Sequence, residues 1–197
     1  KRGLRCYMHA EGDAAVRHVL DIYDTCKGNH VITDVELIDP ADRRRMATQK
    51  TATVCYVQIM NCYPEYDGYY GLTRFDEKRQ KTIWPYKDMI RDGVLLSFGT
   101  DLPLDVACNR RFRDRKPEGG YQKQNALTPG EVLYCWSRNG YAAQRSLEQA
   151  GTLTEGKWAD LIVLDRDLFS CDPEEYRSVK VIKTVVGGKT VYEENRF

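Results

Sequence analysis

The sequence is short of several things, and each shortage closes off a class of protein. No apolar run approaches the ~20 residues that a membrane-spanning helix needs, so a membrane role is not expected. Neither sign of charge dominates: 30 Lys and Arg face 29 Asp and Glu, a net charge of +1, so no global field recruits nucleic acid or an anionic surface. Cysteines number seven, an odd count at wide spacings with no CxxC pair, which argues against a disulfide framework or a zinc knuckle and for free thiols in a reducing cytoplasm. No internal repeat, heptad pattern or low-complexity tract is present. The first residues, Lys1 to His9, lack the long apolar core of a signal peptide and read as a chain entered in mid-fold.

The order of the remaining segments is that of an α/β protein. Leu4 to His9 is a strand candidate, and Ala14 to Cys26 carries apolar residues at helical spacing, stopped by Lys27-Gly28-Asn29. His30 to Leu37 is a second strand, and Asp39-Pro40 opens a helix running to about Lys50. Thr51 to Ile59 is β-branched and aromatic, a third strand, followed by a Tyr-rich loop from Met60 to Thr73. Phe75 to Asp92 reads as mostly helical with a break at Pro85, and Val94 to Thr100 is a fourth strand. A long polar loop from Asp101 to Ala126 leads to Thr128-Pro129-Gly130-Glu131, a capping box that starts a helix. After Gly151 the pattern turns to β, with Leu161 to Leu164 and two further strands joined at Gly187-Gly188. Four strand–helix units in series predict parallel pairing, as in half of an eight-stranded barrel.

Three of these strands end on a possible metal ligand: His9 on the first, Asp34 on the second with Glu36 two residues on, and Asp101 on the fourth. Imidazole and carboxylates gathered at one barrel mouth suit Zn²⁺ or a similar divalent ion, which would lower the pKa of bound water and polarise a carbonyl. Asp101 would then carry the proton from water to a leaving amine. Each residue also has a plainer role open to it. Asp101 could cap a helix, Asp34 and Glu36 could satisfy backbone groups, and His18 lies within a helical pattern. His30 stands about 13 Å from Asp34 along an extended strand, at the wrong end. The basic stretch Arg110 to Lys116 lacks interleaved stacking aromatics, so nucleic-acid binding is not expected.

Several segments resemble the amidohydrolase superfamily, in the branch typified by N-substituted formamide deformylases. His9-Ala-Glu-Gly-Asp13 is similar to its His-Ala-x-Gly-Asp motif, Ile38 to Met46 to the segment after the next strand, and Ser97-Phe-Gly-Thr-Asp101-Leu-Pro103 to its Gly-Ser/Thr-Asp-x-Pro signature. Ala126 to Glu131 resembles its Leu-Thr-x-x-Glu-Ala helix start. Gly151 to Asp165 is very close to Gly-Ser-Leu-x-x-Gly-Lys-x-Ala-Asp-Leu-x-Val-Leu-Asp, and Thr184 to Tyr192 matches the closing hairpin. The resemblance implies the C-terminal half of a (β/α)₈ TIM-type barrel, about four βα units over residues 1–150. Residues 151–197 would then be the C-terminal part of a small β-sandwich domain. It implies hydrolysis of a non-peptide C–N bond in a small-molecule substrate. His9 and Asp101 would be metal ligands, with Asp101 also the general base.

Two departures stand out. The family's first-strand His-x-His pair and fourth-strand Lys or Glu have no counterpart, so the chain by itself is expected to be inactive and to associate, as a homo-oligomer or through its exposed half-barrel edges. Where the family reads Ile-Glu-His, this sequence reads Ile32-Thr33-Asp34, so Asp34 is either a substituted metal ligand or the mark of a degenerate site. A non-catalytic chain with a structural role is the corresponding alternative.

Overall fold

The structure is a computed structural model that describes residues 4–26, 28–56, 75–99, 105–112 and 114–194. Its first four strands are β1 (Tyr7–His9), β2 (Val31–Thr33), β3 (Ala52–Tyr56) and β4 (Leu95–Gly99). They form one sheet in the order β1-β2-β3-β4, every neighbouring pair parallel. Parallel neighbours need a crossover. Here the crossovers are α1 (Asp13–Thr25), then α2 (Pro40–Gln49), then the pair α3 (Glu77–Gln80) and α4 (Tyr86–Arg91).

Local chemistry explains most of these boundaries. Asp39 caps α2 by accepting the Ala41 amide, Pro40 fills the first turn, and Lys50 ends the helix in the left-handed region at φ 56°. The stretch from Phe75 to Asp92 is not one helix. Trp84 takes a positive φ of 48°, Ile83 makes an antiparallel bridge to Leu37, and the chain starts afresh after Pro85. The sequence reading of a second strand reaching Leu37 is also corrected. β2 stops at Thr33, because Asp34 turns at φ 63° and the amides of Glu36 and Leu37 are both taken by the Glu11 carbonyl.

The two faces of the sheet differ. On one, Ile32, Thr53 and Leu96 align in register and are fully buried, with Cys55 and Phe98 beyond them, against a core that includes Val16, Leu20, Met89 and Val132. On the other, Val31 and Ala52 are buried under Ala143, with Leu95 packed against them. Towards the strand ends this face opens: Thr33, Val54 and Tyr56 are only half-buried.

Downstream, α5 (Asp105–Asn109) lies within what the sequence suggested was loop. Then come α6 (Pro129–Trp136), opened by the expected capping box at Thr128 and Glu131, and α7 (Arg138–Ala143). Three antiparallel strands close the chain: β5 (Leu161–Leu164), β6 (Val181–Val186) and β7 (Lys189–Glu193), in that order across the sheet. The β6–β7 turn places Gly187 and Gly188 at φ 55° and 77°, the double positive φ of a tight hairpin. This unit is tied to the rest by Arg177, whose Nε donates to the buried Asp105 at 3.0 Å.

No described helix is long and apolar enough to cross a membrane. Cys6, Cys26, Cys55, Cys108, Cys135 and Cys171 are free thiols, while Cys62 lies outside the described residues.

Candidate functional site

The strand ends of a parallel sheet all point one way, so residues far apart in sequence meet there. His9 ends β1 opposite Thr33, and the residue that follows β2, Asp34, donates its amide to the Val54 carbonyl at 3.0 Å. That bond continues the ladder by one step while the positive φ swings the chain away. Asp and Asn tolerate this conformation better than β-branched residues do. The Asp34 carboxylate is thereby aimed back across β1: Oδ2 lies 2.6 Å from His9 Nδ1. The other ring nitrogen, Nε2, lies 3.1 Å from Glu11 Oε1. The Asp34 side chain is 13% exposed, those of His9 and Glu11 62% and 54%, so the carboxylate sits behind the ring and Glu11 lies at its outer edge.

Partial burial works against a charged His9 ring, but Asp34, through its hydrogen bond and its charge, and Glu11 together hold the His9 pKa above its ordinary value. Glu36, at 3% exposure, does not share a strand face with Asp34 as the sequence suggested. The turn at Asp34 sends it inward, under Trp84, whose amide donates to the Glu36 carbonyl at 2.7 Å. Burial, then the charges of Glu11 and Asp34, push its carboxyl up to about 8, so at neutral pH it carries a proton. Tyr86 behind it is fully enclosed and packs edge-on to Phe98 at 5.2 Å. Its hydroxyl is pushed well above 10 by burial, with Cys55 adding to the effect, and so is no proton acceptor near neutral pH.

Of the three ligands expected from the sequence, His9 and Asp34 are brought together. Asp101 lies outside the described residues, and so do Tyr63, Tyr66, Tyr69 and Tyr70. Among the described residues no group of three or more His, Cys, Asp or Glu is arranged to hold an ion. The donors present still suit one in part: an imidazole with an accessible Nε2 and a flexible carboxylate at 3.1 Å, close to the ~3 Å that separates two donors at 2.0–2.2 Å from a common ion. Glu11 escaped the sequence reading, and Glu36, expected beside Asp34 at the strand tip, is instead buried. Glu11 sits in the variable position of the His-Ala-Glu-Gly-Asp motif, and the depth of Glu36 is set by a backbone turn.

The other histidine that bears on the strands is structural. His30 is buried, takes the Cys6 amide at Nδ1 (3.2 Å), and has the Cys26 carbonyl 3.2 Å from Nε2. The basic stretch after α5 is engaged internally: Arg110 is fully buried and donates to the Tyr121 and Trp84 carbonyls, and Arg111 and Arg115 pair with Glu174.

Comparison with known proteins gives a consistent picture. A model of the Amidohydrolase family matches residues 1–192. The putative amidohydrolase YtcJ of Bacillus subtilis (strain 168) is 24% identical over 213 residues, covering 99% of this chain and 39% of that protein. The N-substituted formamide deformylase of Arthrobacter pascens is 25% identical over 205 residues, 98% of this chain and 37% of that protein. The chain thus spans about two-fifths of the length of these curated relatives. Among solved structures, an uncharacterized metal-dependent hydrolase from Pyrococcus horikoshii OT3 superposes with a TM-score of 0.76 at 23% identity, over 88% of this chain and 36% of that one. An amidohydrolase from Thermotoga maritima MSB8 gives 0.65 at 17%, over 97% and 44%. With the family match running from the first residue almost to the last, the chain belongs to the Amidohydrolase family.

Proposed function

We propose that this chain forms the C-terminal half of a (β/α)₈ barrel in a metal-dependent hydrolase acting on a non-peptide C–N bond, with residues after about 150 contributing to a small β domain. The observation that carries the reading is the meeting of His9 and Asp34 at the C-terminal tips of an all-parallel sheet, where barrel enzymes do their chemistry. His9 and Asp101 would hold a divalent ion of the Zn²⁺ kind, with Asp34 at the same mouth. When bound, such an ion activates water and polarises the scissile carbonyl. Asp101 takes a proton from the attacking water and delivers it to the departing amine. Glu36, protonated at neutral pH, adds no negative charge to a mouth that already holds Asp34 and Glu11.

The described sheet has two open edges, β1 and β4, and one half-open face. Strand edges with unpaired amides and carbonyls invite pairing, so the chain works with further strands beside it, its own complementary half or a second copy, and by itself is inactive. The assay is hydrolysis of small N-substituted amides by the metal-loaded protein assembled with its complementary half, with and without Asp101→Asn. A loss of about 10²-fold or more is expected for a missing acid–base group. Unchanged turnover refutes the role of Asp101. Light scattering tests the assembly, and a monodisperse monomer of the 197-residue chain contradicts the open-edge argument.

A second reading, a non-catalytic chain with a structural role, is favoured by one observation: an Asp, Asp34, stands where the family's Ile-Glu-His has its His. Absence of stoichiometric zinc in the assembled protein would select it.

A further inference from the structure

The segments that enter the four parallel strands converge at the end of the sheet away from His9. Arg5 stands two residues before β1, Asn29 two before β2, Lys50 and Thr51 directly before β3, and Gly93 two before β4. With Ala142 of α7 they line a cavity of about 280 Å³, room for a small ligand only, since small-molecule pockets usually hold ~300–1,000 Å³. Its charge is of one sign: Arg5 and Lys50 line it, and among the described residues no Asp or Glu does. Arg17, Arg43, Arg45 and Arg177 each pair with a carboxylate, whereas Arg5, Lys50 and Arg145 make no ion pair among the described residues. We infer that this cavity binds a small phosphate-like oxyanion, with the Arg5 guanidinium and the Lys50 ammonium as its charged donors.

Three further features agree. The Arg5 guanidinium is already held in place: Nε donates to the Asn29 carbonyl, Nη1 donates to the Ala143 carbonyl, and the Tyr7 ring lies 5.5 Å from its centre. These partners are neutral, and Nη2 makes no hydrogen bond among the described residues, so the fork keeps a donor and its full charge for a ligand. Partial burial lowers the Arg5 pKa; Tyr7 works against this, and the charge of Arg145, two residues after α7, adds to it. Cations gathered without an acid in a cleft focus a positive field, which an anion relieves. Finally, Arg5 already joins the entries of β1 and β2 to the end of α7, so an anion shared with Lys50 would fasten the entry of β3 to the same point. The cavity lies ~13 Å from the strand tips along β3, at ~3.3 Å per residue, so the inference stands apart from the metal reading.

The test is a titration of the 197-residue protein, ¹⁵N-labelled, with inorganic phosphate, against sodium chloride at matched ionic strength. Thermal unfolding and amide shifts are the two readouts. Phosphate is expected to raise the midpoint saturably and chloride is not, because a ligand of the folded state alone stabilises it. The amides of Asn29, Lys50 and Thr51 should move together. Lys50 and Arg145 have φ of 56° and 60°, which Asn tolerates, so Lys50→Asn and Arg145→Asn each remove one charge with little strain. Lys78→Gln on α3 removes one elsewhere. Phosphate affinity should fall about tenfold in Lys50→Asn, the loss of one hydrogen bond to a charged group at a partly exposed site. It should fall about threefold in Arg145→Asn, which acts through its field, and less than about twofold in Lys78→Gln. A response no greater than that to chloride overturns the inference, as does an equal loss in Lys78→Gln or amide shifts that spare Asn29, Lys50 and Thr51. Should Lys50→Asn fail to fold, Arg145→Asn and the wild-type shifts decide.

Discussion

Glu36 offers a direct test of the electrostatics at the strand ends. Its carboxyl is 3% exposed and titrates near 8 instead of the usual 4.5. Between those values the folded chain holds a proton that the unfolded chain has released. Stability therefore falls as pH rises through that window, and the full penalty is present above about 8. A displacement of about 3.5 units at 1.36 kcal/mol per unit gives a cost on the order of 4–5 kcal/mol at pH 9, a large part of the 5–15 kcal/mol that holds a domain folded. Glu36→Gln keeps the shape of the neutral carboxyl and cannot ionise. Urea denaturation in the presence of EDTA, from pH 4.5 to 9, should show the two proteins nearly equal at the acid end. The variant should then gain up to about 1.4 kcal/mol per pH unit between about pH 5 and 8. Glu11→Gln, which removes the second of the causes, should bring the folded-state pKa of Glu36 down, so that the decline ends at lower pH and its total is smaller. Parallel stability curves for wild type and Glu36→Gln refute the reasoning, because they mean that Glu36 is solvated or paired in the folded chain.

Three other substitutions probe the joints of the fold. Arg177→Ala leaves the buried Asp105 carboxylate, among the described residues, with Asn109 Nδ2 at 3.2 Å, and should cost about 2–3 kcal/mol, below the value for a fully buried pair because Arg177 is 30% exposed; denaturant midpoints check it. Gly120→Ala meets a backbone at φ 83° and places a Cβ 2.3 Å from the Asn109 carbonyl oxygen, so a loss above about 2 kcal/mol is expected, read as a fall in thermal midpoint. Thr128→Ala removes half of the capping box before α6 and should cost about 1 kcal/mol by the same measurement, with Glu131 still held by Lys87 at 2.5 Å.

Where the fold was legible in the sequence, the reason is that local chemistry and tertiary demand agree. The capping box at Thr128, the Asp39-Pro40 helix start and the Gly187-Gly188 turn are each settled within four residues. The end of β2 was not legible. Val35, Leu37 and Ile38 all favour extended structure, and what stops the strand is the Glu11 carbonyl taking the amides of Glu36 and Leu37 from another loop. Glu36 was misplaced for the same reason: alternation fixes a face only while the strand continues. α5 was missed because its five residues, Asp105 to Asn109, are too few to show a period. Of the candidate ligands, the meeting of His9 and Asp34 followed from strand order, but which nitrogen faces which carboxylate depends on a single backbone dihedral.

That dependence ties the chemistry to the two faces of the sheet. One face is closed: Ile32, Thr53 and Leu96 are fully buried, and this packing fixes the strand register. The other is closed only at its base, by Ala143 over Val31 and Ala52, and opens through Val54 and Tyr56 towards His9. The amide of Asp34 is bonded to the carbonyl of Val54 and its carboxylate to His9, so it is the residue through which the register of the closed face reaches the open one. A slip of β2 against β3 by one residue would lose the Val54 bond and turn the Asp34 side chain from His9. The core on the closed face thus acts on the strand ends without touching them: it sets the register, the register places Asp34, and Asp34 holds the imidazole.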